Sequence, residues 1–171
     1  AVARAALQAL APLGWTVEES AIRRGFAEAR WPGRLQSARW QNHPLLLDGA
    51  HNPPAAAQLA LERGRWPGED AGVCWILAMQ AHKQAPAMLE HLLDPSDRAW
   101  IVPVPDHHSW TRSRLAEQCP QWRNQLLEAN SGEEALLEIQ RLGPWPRPMP
   151  VVAGSLYLLG DLFARAVVTA E

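Results

Sequence analysis

The run Leu45-Leu46-Leu47-Asp48-Gly49-Ala50-His51-Asn52-Pro53-Pro54 constrains the fold more tightly than any other stretch of this chain. Three consecutive aliphatic residues suit a short buried strand, since a strand covered on both faces loses its polar alternation. An acid, a glycine and a histidine follow where that strand ends. Asn52 is a favoured helix cap, and Pro53 suits the first helical position because its missing N–H has no helical partner there anyway. An alanine-rich helix over residues 55–63 is predicted to begin at once. The run therefore reads strand, polar turn, helix N-terminus. In open α/β sheets ligands bind at this carboxyl edge, and a helix N-terminus attracts phosphate.

The rest of the chain repeats the alternation. Residues 73–79, 99–104 and 151–153 are apolar enough to be covered strands. Residues 85–93 have helical spacing, with Leu89, Leu92 and Leu93 on one face. A short helix over 112–118 ends at Pro120, Ser131 opens a helix to Leu142, and a last helix covers 156–168. Upstream, residues 34–40 and 45–47 form a hairpin around the polar turn Gln41-Asn42-His43-Pro44. Before it, residues 3–13 have helical spacing interrupted by Pro12. Thr16, with Glu19 three residues on, reads as a capping box for a helix running to about Ala29. Strands alternating with helices predict an α/β fold: a three-layer, doubly wound, mostly parallel sheet with one antiparallel hairpin strand.

At 171 residues the chain suits one domain and can bury a core without staples. A net charge of -2 and a pI of 6.3 supply no basic field for nucleic acid or an anionic membrane. No apolar run reaches the length of a membrane span, and no leader pattern is visible. Cys74 and Cys119 lie far apart and fit no metal or redox spacing, as expected of reduced thiols in a cytoplasmic protein. The nine tryptophans are scattered, which suits packing rather than a binding platform. Neither Gly-x-x-x-x-Gly-Lys-Ser/Thr nor Gly-x-Gly-x-x-Gly occurs. Because the chain starts with Ala1 rather than Met, it is expected to be a piece of a longer protein or a processed product.

Three segments carry a family resemblance. Asp48-Gly49-Ala50-His51-Asn52-Pro53, Pro32-Gly33-Arg34-Leu35 and Gly154-Ser155-Leu156-Tyr157 together resemble the C-terminal domain of folylpolyglutamate synthase/dihydrofolate synthase, a branch of the Mur ligase superfamily. The matches stand in the family's order and span nearly the whole chain. The resemblance implies a Rossmann-like domain at residues 15–171, with residues 1–14 ending a preceding ATP-binding domain or joining to it. It implies an ATP-dependent ligase that adds glutamate to folate through an acyl phosphate. The cofactors would be ATP and Mg2+, with the phosphate loop, most magnesium ligands and the folate pocket in a missing N-terminal P-loop domain. The isolated chain is then expected to be inactive.

The same resemblance gives roles to four residues, each with a plainer alternative. Arg34 would meet ATP phosphates, where otherwise it is a surface arginine at a strand end. Asp48 and His51 would lie at the nucleotide and active-site cleft, Asp48 toward ribose hydroxyls and His51 toward phosphate or a polar substrate group. On local pattern alone, Asp48 equally suits a turn acid that satisfies backbone donors. Ser155 would sit near the incoming glutamate, or simply cap the last helix. Asn52 reads as a cap. Where relatives often carry Asp-Lys-Asp, this chain has His82-Lys83-Gln84, so only Lys83 matches, and it reads as a solvated lysine.

Three other readings compete. Another Mur-type amino-acid ligase would share the fold. A non-catalytic nucleotide- or partner-binding module would lack the chemistry. Asp106-His107-His108 resembles the signature of metal-dependent phosphoesterases, but the further aspartates that such a site needs are absent, so a polar loop at the sheet edge is the better reading.

Overall fold

The computed structural model describes residues 2–29, 31–66, 68 and 72–171. They fall into two compact units, Ala1–Pro32 and Gly33–Glu171. In the first, α1 (Val2–Ala9) is followed by a 3-10 turn that Gly14 ends in the left-handed region, and then by α2 (Glu19–Glu28). The capping box expected at Thr16 does not form. The helix starts after Glu18, which makes no side-chain cap. Glu19, which would have completed the box, instead takes the guanidinium groups of Arg4 and Arg23 at 3.0 and 3.2 Å.

The second unit is built on a seven-stranded sheet. Its strands are β1 (Gln36–Trp40), β2 (His43–Leu47), β3 (Cys74–Leu77), β4 (Arg98–Ile101), β5 (Leu126–Glu128), β6 (Val151–Ala153) and β7 (Val168–Ala170), in the spatial order β5-β4-β3-β6-β2-β1-β7. β1 pairs antiparallel with both neighbours, while the other pairings are parallel. The hairpin register pairs Trp40 with His43, so the turn is only Gln41-Asn42, and Gln41 has φ +54°. This is tighter than the expected Gln41–Pro44 loop.

Two faces of the sheet are covered, because each strand's side chains alternate between two clusters. Trp75, Leu77, Ala99 and Ile101 pack with α3 (Pro53–Leu61), α4 (Ala85–Leu92) and α5 (Arg112–Gln118). Ile76, Ala78, Trp100 and Val102 pack with α6 (Gly132–Arg141) and α7 (Leu156–Ala164). Trp75, Ile76 and Leu77 are fully buried, each stabilising the fold by roughly 1.5–3 kcal/mol. This is the expected α/β, doubly wound, three-layer sheet.

Two short strands escaped the sequence reading. β5 has only three residues, two of them leucine. β7 begins at Val168, where the last helix was expected to end; α7 stops at Ala164, Ala166 turns the chain at φ +53°, and the β-branched Val168-Thr169 pairs with β1. Among the described residues, no helix is long and apolar enough to cross a membrane.

Topology sets the position of the site. β6 lies between β2 and β3. The helices that follow β2 and β3 cover one face, and the helix that follows β6 covers the other. Their loops diverge at the carboxyl ends of these strands, leaving the crevice where open α/β folds bind ligands.

Candidate active site

Three loops meet at that crevice. The loop after β2 carries Asp48, Gly49, Ala50 and His51, and ends where the Asn52 side chain accepts the Ala55 N–H at 2.9 Å and caps α3. The loop before β1 carries Gly33, Arg34 and Leu35. The loop after β6 carries Gly154 and Ser155. Gly154 has φ +97°, and a Cβ there would strike the Ala78 carbonyl, so only glycine fits where α7 starts.

Backbone contacts tie the loops together. The Gly49 N–H donates to the Gly33 carbonyl at 2.6 Å, and the Asp48 N–H donates to the Val152 carbonyl of β6 at 2.9 Å. The Leu156 side chain approaches Gly33, to within 3.2 Å of where its Cβ would stand. Arg34, Asp48, His51 and Ser155 thus lie on adjoining loops.

Asp48 is 5% exposed. Its Oδ2 accepts the Leu35 N–H at 2.9 Å and its Oδ1 accepts the Ala50 N–H at 2.8 Å. The carboxylate therefore meets backbone donors, the plainer of the two roles read for it in the sequence. Arg34 stands 3.8 Å from Oδ1, beyond hydrogen-bonding distance, with 45% of its side chain exposed. A cavity of about 380 Å³ opens beside the pair, walled by Leu35, by Gln58 and Leu59 of α3, and by Glu62 just past its end. His51 is half-buried, and its Nδ1 lies 2.7 Å from the Gly49 carbonyl, which orients the ring. Ser155 is buried and accepts the Tyr157 N–H at 3.1 Å, so it caps α7.

Chemically, a guanidinium at the rim and two capped helix N-termini, those of α3 and α7, give the crevice a positive bias suited to phosphate or carboxylate.

The neighbouring loops are also joined. The Ala81 N–H donates to the His108 carbonyl and the Trp110 N–H to the Met79 carbonyl, both at 2.8 Å. The Trp110 indole N–H donates to the Lys83 carbonyl at 3.0 Å, which fixes the backbone of a half-buried Lys83. Asp106, His107 and His108 form an exposed loop in which Asp106 has φ +59° and the His107 ring lies 4.1 Å from that of Tyr157. Among the described residues no group of three or more His, Cys, Asp or Glu side chains could hold a metal ion.

Sequence reasoning missed Gln36, whose Oε1 accepts the Gly33 N–H at 2.8 Å, and Gln58 of α3 and Glu62 just past it in the cavity wall. The i, i+4 spacing of Gln58, the sixth residue of α3, and Glu62 at its end was the available signal. For Gln36 there was none, because strand alternation says nothing about a turn that folds back on itself.

The pattern of the family described as dihydrofolate synthetase, C-terminal domain, fits residues 33–165. A probable dihydrofolate synthetase from Schizosaccharomyces pombe is 28% identical over 152 residues, covering 83% of this chain and 36% of that protein. The dihydrofolate synthase/folylpolyglutamate synthase of Escherichia coli is 32% identical over 115 residues, covering 67% of this chain and 27% of that protein. The chain thus spans 36% or less of the length of these relatives. A crystal structure of Mycobacterium tuberculosis folylpolyglutamate synthase, complexed with ADP and AMPPCP, shares the fold with a TM-score of 0.72 at 23% identity, covering 92% of this chain and 37% of that one.

Proposed function

The chain belongs to the dihydrofolate synthetase C-terminal domain family, and from that membership we propose that it is the C-terminal domain of an ATP-dependent ligase that adds glutamate to a folate. The observation that carries this reading is Arg34: a half-exposed guanidinium at the rim, beside a buried carboxylate. Its partner is an N-terminal P-loop domain, of which residues 1–14 are the end or the join; that domain supplies the phosphate loop and most ligands of Mg2+. The cytosol is the setting, in keeping with the two free thiols.

ATP phosphorylates a carboxylate of the folate or pteroate substrate. The amino group of glutamate attacks the acyl phosphate, an amide forms, and ADP and phosphate leave. This domain's part is positioning and charge stabilisation. Arg34 draws charge from the phosphates, His51 holds a polar group of the nucleotide or the reacting end, and Ser155 stands near the incoming glutamate. Closure over ATP carried by the partner domain excludes water from the acyl phosphate. The isolated chain turns over no substrate.

Arg34→Ala in the two-domain enzyme tests this. Catalytic efficiency falls by about a hundredfold, the scale of losing one charge-stabilising donor. A steady-state assay within twofold of the parent removes Arg34 from the mechanism.

A further inference from the structure

We propose that a second cavity, at the amino edge of the sheet, binds a small planar aromatic anion: a ring carrying a phosphate or carboxylate group. It lies where the chain enters the central strands β2, β3, β4 and β6, at the end opposite the crevice. It is therefore independent of the role proposed for Arg34. The main chamber, of about 910 Å³, falls within the roughly 300–1,000 Å³ of small-molecule sites. Its walls include His43, Trp145, Pro146, Arg147 and Met149. A smaller chamber of about 270 Å³ shares Pro146 and Arg147 and adds Cys74 and Arg98.

The main chamber offers rings held in place. The Trp145 ring stacks 4.4 Å from that of His43 and 5.6 Å from that of Trp40, at interplanar angles of 16° and 25°. The Trp145 indole N–H donates to the Pro44 carbonyl at 2.9 Å, which fixes the indole. Trp40 is buried, whereas His43 and Trp145 are half-buried and belong to the chamber wall. The smaller chamber offers charge. Arg98 and Arg147 are exposed, and among the described residues neither guanidinium has an ion pair or hydrogen bond. The neighbouring Asp97 carboxylate is already taken up by Arg63 and by the N–H groups of Val73, Asp94 and Trp75. Two guanidinium groups on one cavity suit the paired oxygens of phosphate or carboxylate.

The walls are also preformed. Gly72 and Gly68 have φ +78° and +85°, and a Cβ would strike the Ser96 carbonyl at the first and the Arg147 carbonyl at the second. The loops thus pack backbone to backbone, so little ordering is left to oppose binding. A bare anion would leave the aromatic chamber unused, and a neutral ring would leave both arginines without a partner. A ring on the His43 and Trp145 side, with its anionic group between Arg98 and Arg147, uses both chambers.

Titration of the two-domain enzyme with phenyl phosphate, benzoate and inorganic phosphate tests this. Phenyl phosphate or benzoate saturates at about 0.1–1 mM, and inorganic phosphate binds about tenfold more weakly than phenyl phosphate. The tighter of the two aromatic probes assigns the anionic group, phosphate or carboxylate. Arg98→Gln and Arg147→Gln each weaken binding by about tenfold, whereas Arg34→Ala leaves it unchanged. In Trp145→Leu the aromatic and inorganic phosphates bind alike; His43→Leu serves the same purpose if that variant fails to fold. Cys74 reports where the charge sits. Burial pushes its thiol up and the Arg98 charge draws it down. An anion on Arg98 cancels that draw, so saturating probe slows alkylation of Cys74 by iodoacetamide about threefold, followed by peptide mass. Absence of saturation at millimolar probe overturns the proposal. So does binding that both arginine variants leave intact, binding lost in Arg34→Ala, or equal affinity of the parent for phenyl and inorganic phosphate. An unchanged rate at Cys74 does the same.

Discussion

Among the described residues, two buried aspartates stand at opposite edges of one sheet, and they are used differently. Asp97, just before β4 at the amino edge, is 2% exposed. It takes the Arg63 guanidinium through two bonds of 2.6 Å, the N–H groups of Val73 and Asp94 at 2.7 and 3.0 Å, and the Trp75 indole N–H at 3.0 Å. Asp48, after β2 at the carboxyl edge, takes two backbone donors, and its arginine stands off at 3.8 Å. Arg63 has 16% of its side chain exposed, Arg34 45%. A carboxylate that saturates its cation makes a structural joint. One that holds only the backbone leaves the cation able to meet a ligand. The degree of commitment separates the two edges, where burial of the acids alone does not.

Asp97→Ala gives the largest effect. Removing the carboxylate takes two bonds from Arg63, whose pair with Asp94 at 3.1 Å remains, and strips three N–H groups of their acceptor, at a cost of roughly 3 kcal/mol. For a chain of this size the melting temperature falls by about 10 °C. A melting curve checks this. A loss no greater than that of Asp48→Asn would erase the contrast between the edges.

Acid unfolding sharpens it. Burial pushes the Asp97 carboxyl up, but the Arg63 guanidinium and the N–H donors of Val73, Asp94 and Trp75 outweigh burial and hold it below its ordinary value. A depressed carboxyl contributes stability that is present above the unfolded-state pKa, near 3.9 for aspartate, and is lost as pH falls through the folded value. Denaturant midpoints measured from pH 5 down to pH 2 therefore drop more steeply in the parent than in Asp97→Ala. Parallel slopes would take Asp97 out of the acid response.

What the sequence disclosed follows the range of the interactions. The segment from Leu45 to Ala55 folds as read, because its strand, turn, cap and helix start are set within ten residues, and the Asn52 cap forms where expected. Ser131 also caps its helix as read, accepting the Glu134 N–H. Thr16 carried an equally good local signal and failed, since Glu19 found Arg4 and Arg23 instead. β5 and β7, of three residues each, are too short for periodicity and exist because a neighbouring strand offers its edge. Arg63 and Asp97 are 34 positions apart, so no local pattern joins them. At the site, motif order brought the right loops to one rim, but not the direction in which Asp48 points. That is settled by the Leu35 N–H, 13 residues upstream.

The smallest effect compares two serines. Ser131 and Ser155 each cap a helix by accepting a backbone N–H at 3.1 Å, from Glu134 and Tyr157. Replacing either by alanine removes that bond and costs about 1 kcal/mol of stability, so thermal denaturation treats them alike. They differ in position: Ser155 follows the central β6 at the crevice, whereas Ser131 follows the edge strand β5. If the Ser155 hydroxyl also meets the incoming glutamate, Ser155→Ala raises KM for glutamate several-fold in the two-domain enzyme, the effect of losing one polar contact. Ser131→Ala leaves that KM unchanged at the same loss of stability. Equal KM values in the two variants would reduce Ser155 to a cap and move glutamate recognition elsewhere on the rim, with His51 the next residue to test.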